Sequence, residues 1–411
     1  MTNSVAIVGG GAAGLMAAYS AAVHGAEVTL FERNSILGMK ILISGKGRCN
    51  LTNIKELHEF IQNIPGNGKF LYGALSRFSN RDLIAFFNKM GVETKVERGG
   101  RVFPKSDRAK DVVKALESAL IKVGVEIRYK SRVKEVVAEG KTLKGLIFYD
   151  KEEFFPCDKV IVATGGKSYP STGSTGDGYE IAKKLGHTIV QPRPSLVPLI
   201  TKEEWVKDLQ GLTLKNVEVT AYNMERKLAS QFGEMLFTHY GVSGPIILTI
   251  SRSVVEHIEE GVTLSLNLKP ALNGEMLERR LKRDFEKYSR KKLKNALADL
   301  LPKRLIPIFI DICGLESEKS VNQLTREERN KIIENLTDLK LTVIGCMEDE
   351  AIVTSGGVSV KEIDSRTMES KIIKGLYFAG EVIDVDGLTG GYNLQAAFST
   401  GYLAGKSAAL S

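Results

Sequence analysis

Gly9, Gly11 and Gly14 follow the apolar run Val5-Ala6-Ile7-Val8 in a G-x-G-x-x-G array, with Ala13 inside it. That spacing makes a phosphate cradle. The first glycine permits the turn, the second lets backbone approach a pyrophosphate, and the third lets helix and strand pack closely. Glu32, 18 residues beyond Gly14, ends a β-rich run where a carboxylate accepts hydrogen bonds from an adenosine ribose. At the other end of the chain, Gly375 to Gly380 reads as a short apolar strand and turn. Glu381 follows, placed to bond a polyol linker, and Gly390-Gly391 precede Asn393, which opens an Ala-rich helix through about Ala409. Amides at such a helix start stabilise negative charge on the pyrimidine end of a reduced flavin ring. NAD has no polyol linker and no such ring, so the two ends together point to FAD.

These residues must be positioned by a strand, a helix over about Ala12 to Val23 ending before Gly25, and a second strand from Glu27. Lys159 to Val162 reads as a buried strand that carries Thr164 and Gly165 to the cofactor. Val125–Tyr129 and Val133–Ala138 read as strands returning beside the first unit. Asp177, after the loop from Thr172, is expected to cap the helix that ends at Gly186. Pro192, Pro194 and Pro198 mark a crossing between domains. The expected architecture is α/β: a Rossmann-like FAD-binding domain over 1–193 and 355–411, with a large inserted substrate or cap domain over 194–354. The insert divides into an antiparallel barrel-like part, 194–270, and a helical part, 274–340, whose Leu293, Leu297, Leu300 and Leu301 form a core stripe.

GGGAAG at 9–14, ISGKGRCNLTN at 43–53 and GLYFAGEVIDVDGLTGGYNLQ at 375–395 together resemble the bacterial NAD(FAD)-utilising dehydrogenase-like flavoproteins. That family is similar to the bile-acid 3-dehydro-Δ4,6-reductase group and more distantly to fumarate-reductase-like flavoproteins. The resemblance implies FAD, a Rossmann-like flavin domain and a large insertion. It also implies that the loop from Lys40 to Asn53 wraps the pyrophosphate and flavin, with Lys40, Arg48 and Asn50 as contacts. Arg48 would then grip phosphate bidentately, and backbone near Val133 would meet the adenine.

Catalytic candidates are sparse. His239, in a glycine-punctuated segment of the insert, is a candidate acid. Cys49 is the cysteine of the cofactor loop, but no second cysteine lies within a hundred residues of it, which disfavours a dithiol reductase. His187 reads as structural. No second strand-G-x-G-x-x-G-helix unit occurs, so NAD(P)H is expected as a transient electron donor at the same flavin. Gly401 to Ser407 has one residue too few for a P-loop.

The 411 residues carry a formal charge of +8, with 43% hydrophobic and 26% charged residues, ordinary for a globular protein. No apolar run reaches the roughly 18 residues of a membrane span. Cys49, Cys157, Cys313 and Cys346 form no Cys-x-x-Cys pair, so neither a metal site nor a disulfide framework is expected. A cytoplasmic location follows. The dense basic run from Glu278 to Lys294 reads as a solvated helix face. The expected function is NAD(P)H-driven hydride transfer through flavin N5 to a small unsaturated, enone-like molecule, with no membrane partner and no nucleic acid. The alternatives are an FAD-dependent amine oxidase and a nucleic-acid-binding flavoprotein that uses the 278–294 helix. No linear signal bears on oligomeric state.

Overall fold

A computed structural model of the chain describes residues 3–149 and 153–411. The chain parts into two compact units, one running to Pro194 and resuming over Ile352–Ser411, the other Ser195–Ala351. Each has its own hydrophobic core.

The first unit is built on five parallel strands in the order Leu376–Phe378, Lys159–Val162, Ser4–Val8, Glu27–Phe31 and Glu126–Arg128. Val5, Ala6, Ile7 and Val8 are all buried, as are Lys159 to Val162. Such near-continuous burial is what a parallel sheet covered on both faces requires. Chain order reverses direction across the sheet at Ser4–Val8, so the crevice at the carboxyl ends of Ser4–Val8 and Lys159–Val162 is the switch point where open α/β sheets take ligands.

The helix Ala12–Val23 follows the first strand, and the helix Tyr392–Leu410 ends the chain. They meet backbone to backbone. A Cβ on Gly401 would lie 2.2 Å from the Ala13 carbonyl oxygen, and one on Gly405 would lie 2.2 Å from that of Ala17. Ser20 Oγ donates to the Tyr402 carbonyl at 2.7 Å. The glycines of the imperfect P-loop therefore serve helix packing, and both chain ends converge on one side of the sheet.

The expected return strands divide. Glu126–Arg128 joins the parallel sheet, whereas Val133–Glu139 pairs antiparallel with Thr142–Phe148 and, through it, with Phe154–Pro156. The tight turn at Gly140, φ 60°, sends the chain back on itself before it can reach the main sheet. His187 is buried, with Nε2 2.9 Å from Ser370 Oγ.

The second unit is a closed six-stranded barrel, ordered Leu199–Thr201, Gly241–Ser243, Arg226–Phe237, Thr213–Asn223, Val262–Asn267 and Leu339–Cys346, with every pair antiparallel. Its last strand comes after the helices. Leu293, Leu297, Leu300 and Leu301 are buried. The helix Gly274–Lys287 is capped by Asn273, whose side chain accepts from Met276 N at 2.9 Å, and its basic face is laced with acids: Arg279–Glu275, Lys282–Glu278 and Arg280–Asp284. Among the described residues, no helix is long and apolar enough to cross a membrane.

Candidate functional site

The three motif glycines have separate physical roles. Gly9 has φ 106°, and a Cβ there would lie 2.7 Å from the Ala163 carbonyl oxygen. A Cβ on Gly14 would lie 1.8 Å from the Gly9 carbonyl oxygen, so the helix rests directly on the turn. Gly11, by contrast, would place a Cβ within 4 Å of nothing. Its missing side chain leaves space for something other than protein. The helix it opens has no side-chain cap and no acid in its first turn, so among the described residues no capping side chain takes its first amides.

Glu32 is buried beside this turn and holds it: Gly10 N donates to Oε2 and Asn34 N to Oε1, each at 2.7 Å. The carboxylate keeps lone pairs for a further donor. Thr164 follows the strand Lys159–Val162 with its Oγ1 buried and without a hydrogen-bond partner among the described residues. Gly165 has φ 75°, a turn that favours glycine. Gly380, φ 78°, would bring a Cβ 2.7 Å from that of Ala13, and its amide donates to Thr400 Oγ1 at 2.9 Å. The C-terminal turn thus abuts the start of the first helix. Val133 is buried at the head of the antiparallel sheet.

Lys40 and Glu381 meet. Lys40 Nζ donates to Glu381 Oε2 at 2.7 Å and to Ser168 Oγ at 2.6 Å, while Glu381 Oε1 accepts from Ser168 Oγ and from Thr354 N. Thr354 Oγ1 in turn accepts from Lys167 N and Ser168 N. A Cβ on Gly166 would lie 2.6 Å from Thr354 Oγ1, so glycine there makes the network possible. Ser168 and Thr354 were not among the sequence candidates. The available signal was small: the pair Gly356-Gly357 just after Thr354 marks a chain re-entering a tight site.

Asn50 and the end of the chain also interlock. With its amide nitrogen facing the Thr52 and Val102 carbonyls, the Asn50 oxygen accepts from Gly391 N at 3.0 Å. Gly391, φ 99°, would push a Cβ to 2.3 Å from the Thr52 carbonyl oxygen. Asn393 does not cap the helix. It clasps the preceding loop, accepting from Gly387 N at 2.8 Å and donating to Gly387 O at 2.7 Å. The buried Asn53, a further residue outside the sequence candidates, donates to both Gly99 O and Gly390 O. The terminal helix, like the first, begins at a glycine with no side-chain cap and no acid in its first turn.

Three sequence expectations, those for Arg48, Asp177 and Cys49, meet a different geometry. Arg48 gives its fork to Glu97, Nη1 to Oε1 at 2.8 Å and Nη2 to Oε2 at 3.1 Å, and stacks over Phe103. An arginine flanked by carboxylates satisfies its donors on them first, so it is not presented as an open phosphate clamp. Asp177 is the first residue of its helix and not the cap; it binds Arg132 at 2.8 Å and Arg33 at 3.2 Å. His239 is exposed on the turn before Gly241–Ser243 in the barrel unit, its ring 4.7 Å from that of Tyr240. Cys49 is fully buried, and burial pushes its thiol up to about 12, against a hydrogen bond with Ser44. A thiol so protonated is no nucleophile near neutral pH. Native protein treated with iodoacetamide at pH 8 should alkylate the half-buried Cys346 before Cys49. Peptide mapping that finds Cys49 modified first would show the thiol to be reactive.

These features fit FAD. Two uncapped helix starts, an open position at Gly11, a buried carboxylate at the turn and an orphaned Thr164 hydroxyl gather at the switch-point end of the first unit's sheet. The family model described as "HI0933-like protein Rossmann domain" matches residues 3–407. The 3-dehydro-bile acid delta(4,6)-reductase of Clostridium scindens is 34% identical over 99% of both chains. The ribosomal RNA dihydrouridine synthase of Escherichia coli is 35% identical over 96% of this chain and 95% of its own. Among solved structures, a flavocytochrome c3 fumarate reductase in its open conformation aligns with a TM-score of 0.53 at 18% identity, covering 99% of this chain and 78% of its own; it shares the fold. The chain therefore belongs to the HI0933-like FAD-binding Rossmann family and is an FAD-dependent oxidoreductase.

Proposed function

We propose that this protein is an NAD(P)H-driven reductase of a carbon–carbon double bond conjugated to a carbonyl, acting on a small enone-like molecule. The observation that carries the reading is the pair of uncapped, glycine-opened helix starts brought to one end of one sheet. When bound, FAD supplies hydride acceptance and donation at flavin N5. Around it, Gly9, Gly11, Ala13 and Gly14 bring amides to the pyrophosphate, and Glu32 fixes the turn and takes the ribose. Thr164, Gly165 and Gly380 close the crevice floor, and backbone near Val133 borders the adenine. Lys40 and Glu381 hold each other beside the polyol, so each is oriented before the cofactor arrives. Asn50 positions Gly391, and Asn393 braces the loop leading to it, which aims the terminal helix at the pyrimidine end. His239 is the candidate proton donor. We assign the reaction to the cytoplasm, given four free cysteines.

The relatives support the reaction type. A delta(4,6)-reductase of a 3-dehydro steroid and a synthase of dihydrouridine both act on double bonds conjugated to a carbonyl. That common chemistry also gives a second reading, in which the reduced group is a uracil base carried by RNA. The formal charge of +8 favours it, since a polyanion is a better match to that charge than a steroid.

Anaerobic titration tests the main reading. NADH or NADPH should bleach the flavin's visible absorbance, and an α,β-unsaturated ketone should restore it. A flavin inert to both nicotinamides removes the donor, and a reduced flavin that no enone reoxidises removes the acceptor class. Hydrogen peroxide released with an amine would favour the oxidase alternative.

A further inference from the structure

The positive charge of this chain is not where its densest basic run lies. Residues 195–351 carry 23 Lys and Arg against 24 Asp and Glu, leaving 34 against 25 in the rest of the chain. The 278–294 run is partly paired, with Glu275, Glu278, Asp284, Asp299 and Glu318, and acids elsewhere in its unit balance the rest in total. The excess sits in the first unit, and most of it in one stretch: residues 40–134 hold 20 Lys and Arg against 9 Asp and Glu. The two phosphates of a dinucleotide would offset only a small part of it.

That stretch builds a small antiparallel sheet, Thr52–Asn53, Arg101–Pro104 and Thr94–Glu97. The turn joining its last two strands is Arg98-Gly99-Gly100-Arg101. Gly99 and Gly100 have φ of 78° and 76°, and a Cβ on Gly99 would meet nothing within 4 Å, so the turn presents bare backbone between two exposed arginines. Behind it, Arg48, Lys95 and Arg101 crowd one carboxylate, Glu97, at 2.8, 3.8 and 3.7 Å, and Asp107 is shared by Arg48 and Lys95. Three cations thus share two acids, and Arg98 beside them is exposed. Ile54 and Val96, 48% and 56% exposed, flank the turn with apolar surface.

The turn is also tied to the flavin site. Ile54 N donates to Gly100 O at 2.8 Å, and Asn53 Nδ2 spans from Gly99 O to Gly390 O at 3.0 and 3.1 Å. One buried side chain thus separates the arginine turn from the glycine pair that starts the terminal helix.

We propose that the Arg98–Arg101 turn is an RNA-binding surface that holds phosphodiesters of a single-stranded segment whose base is delivered to the flavin, with the paired Arg48 and Lys95 behind it bracing the turn's carboxylate. This rests on the second reading above. Charge complementarity specifies the partner: clustered arginines on an open backbone turn neutralise successive phosphates, and guanidinium planes with neighbouring apolar side chains accept unstacked bases. A carboxylated small molecule would need one such cation, whereas the turn offers two arginines on a stretch with 20 Lys and Arg against 9 Asp and Glu.

The test uses flavin-loaded protein and a fluorescein-labelled, uridine-rich RNA oligonucleotide, with anisotropy followed over a series of KCl concentrations. Wild type should bind with a steep salt dependence. Arg98→Ala/Arg101→Ala should weaken binding by about tenfold at low salt and flatten the slope of log affinity against log salt by about 1.4, two single-strand phosphates' worth. Arg279→Ala/Arg283→Ala, in the second unit, should change neither. If the first pair loses flavin, Arg98→Gln alone decides, since the turn uses Arg98 through its carbonyl. No binding by wild type, unchanged binding by the turn variant, or loss with the second-unit variant each overturns the proposal. Enone-driven reoxidation is measured on the same preparations. Enone turnover without RNA binding overturns the surface and leaves the small-enone reading standing, whereas RNA binding without enone turnover supports the surface and overturns the small-enone reading alone.

Discussion

Gly14→Ala should produce protein without flavin and with a melting temperature lowered by about 6–12 °C, while Gly11→Ala should fold normally and fail only in binding. The difference follows from what each new methyl group meets. At Gly14 it would lie 1.8 Å from the Gly9 carbonyl oxygen, and the obstacle is backbone, so strand, turn and helix must separate. Overpacking of ordinary cores costs about 1–3 kcal/mol. With no flexible side chain to yield, we take about 3 kcal/mol, which for a unit of this size corresponds to the stated shift. At Gly11 the backbone is extended, φ −83° and ψ −172°, and the methyl group points into open space. Apo-protein stability should move by less than about 0.5 kcal/mol. The lost space is the ligand's, and FAD affinity should fall at least about tenfold, or 1.4 kcal/mol. Thermal denaturation of the apo forms and quenching of FAD fluorescence separate the two effects. Unchanged FAD affinity in Gly11→Ala would falsify the placement of the pyrophosphate at this turn.

The second large effect is expected far from the motif in sequence. Gly405→Leu should lower the melting temperature as much as Gly14→Ala and also release flavin. Its Cβ would fall 2.2 Å from the Ala17 carbonyl oxygen and 2.9 Å from Ala21 N, and a leucine would drive the two helices apart along their contact. The helix starts at Gly11 and Gly391 would lose their common frame. Lys406→Ala, one residue on and only partly buried, should shift stability by less than about 0.5 kcal/mol. Circular dichroism melts of the two variants, with flavin content by absorbance, check this. Equal stability of Gly405→Leu and wild type would mean that the close crossing is not maintained in solution.

Much of the flavin framework is legible in the linear sequence because it depends on local backbone demands. A strand, a tight turn and a helix start occupy consecutive residues from Ser4 to Val23; glycine is required at 14 by a contact inside that stretch and at 9 by a φ of 106°, and at 11 it leaves space for a ligand. Gly380, Gly390 and Gly391 at the other end share the local demand, with φ of 78°, 128° and 99°, although the close approaches of Gly380 and Gly391 are to the distant Ala13 and Thr52. Residues 133–139 were harder to assign, since a β-rich run does not say which sheet it joins; the turn at Gly140 decided that. The barrel's closing strand, Leu339–Cys346, follows about seventy residues of mostly helical chain, and no local pattern ties it to Leu199–Thr201.

Side-chain partnerships lie still further from what one sequence can reveal. Nothing near Lys40 says that its acceptor is Glu381, 341 residues away, or that Arg48 will be satisfied by Glu97 and Asp107 before any phosphate. Nor does a basic run show how much of its charge is met: the 278–294 run is the denser in one dimension, yet several of its cations find carboxylates and its unit is balanced in total, while residues 40–134 keep the excess. The sequence by itself determined the cofactor class and the two chain ends that serve it, because glycine spacing is a local steric requirement. Only the tertiary structure decided which charges are spent on one another and which face solvent, because Coulombic and hydrogen-bond partners are set by distance in space and not by order along the chain.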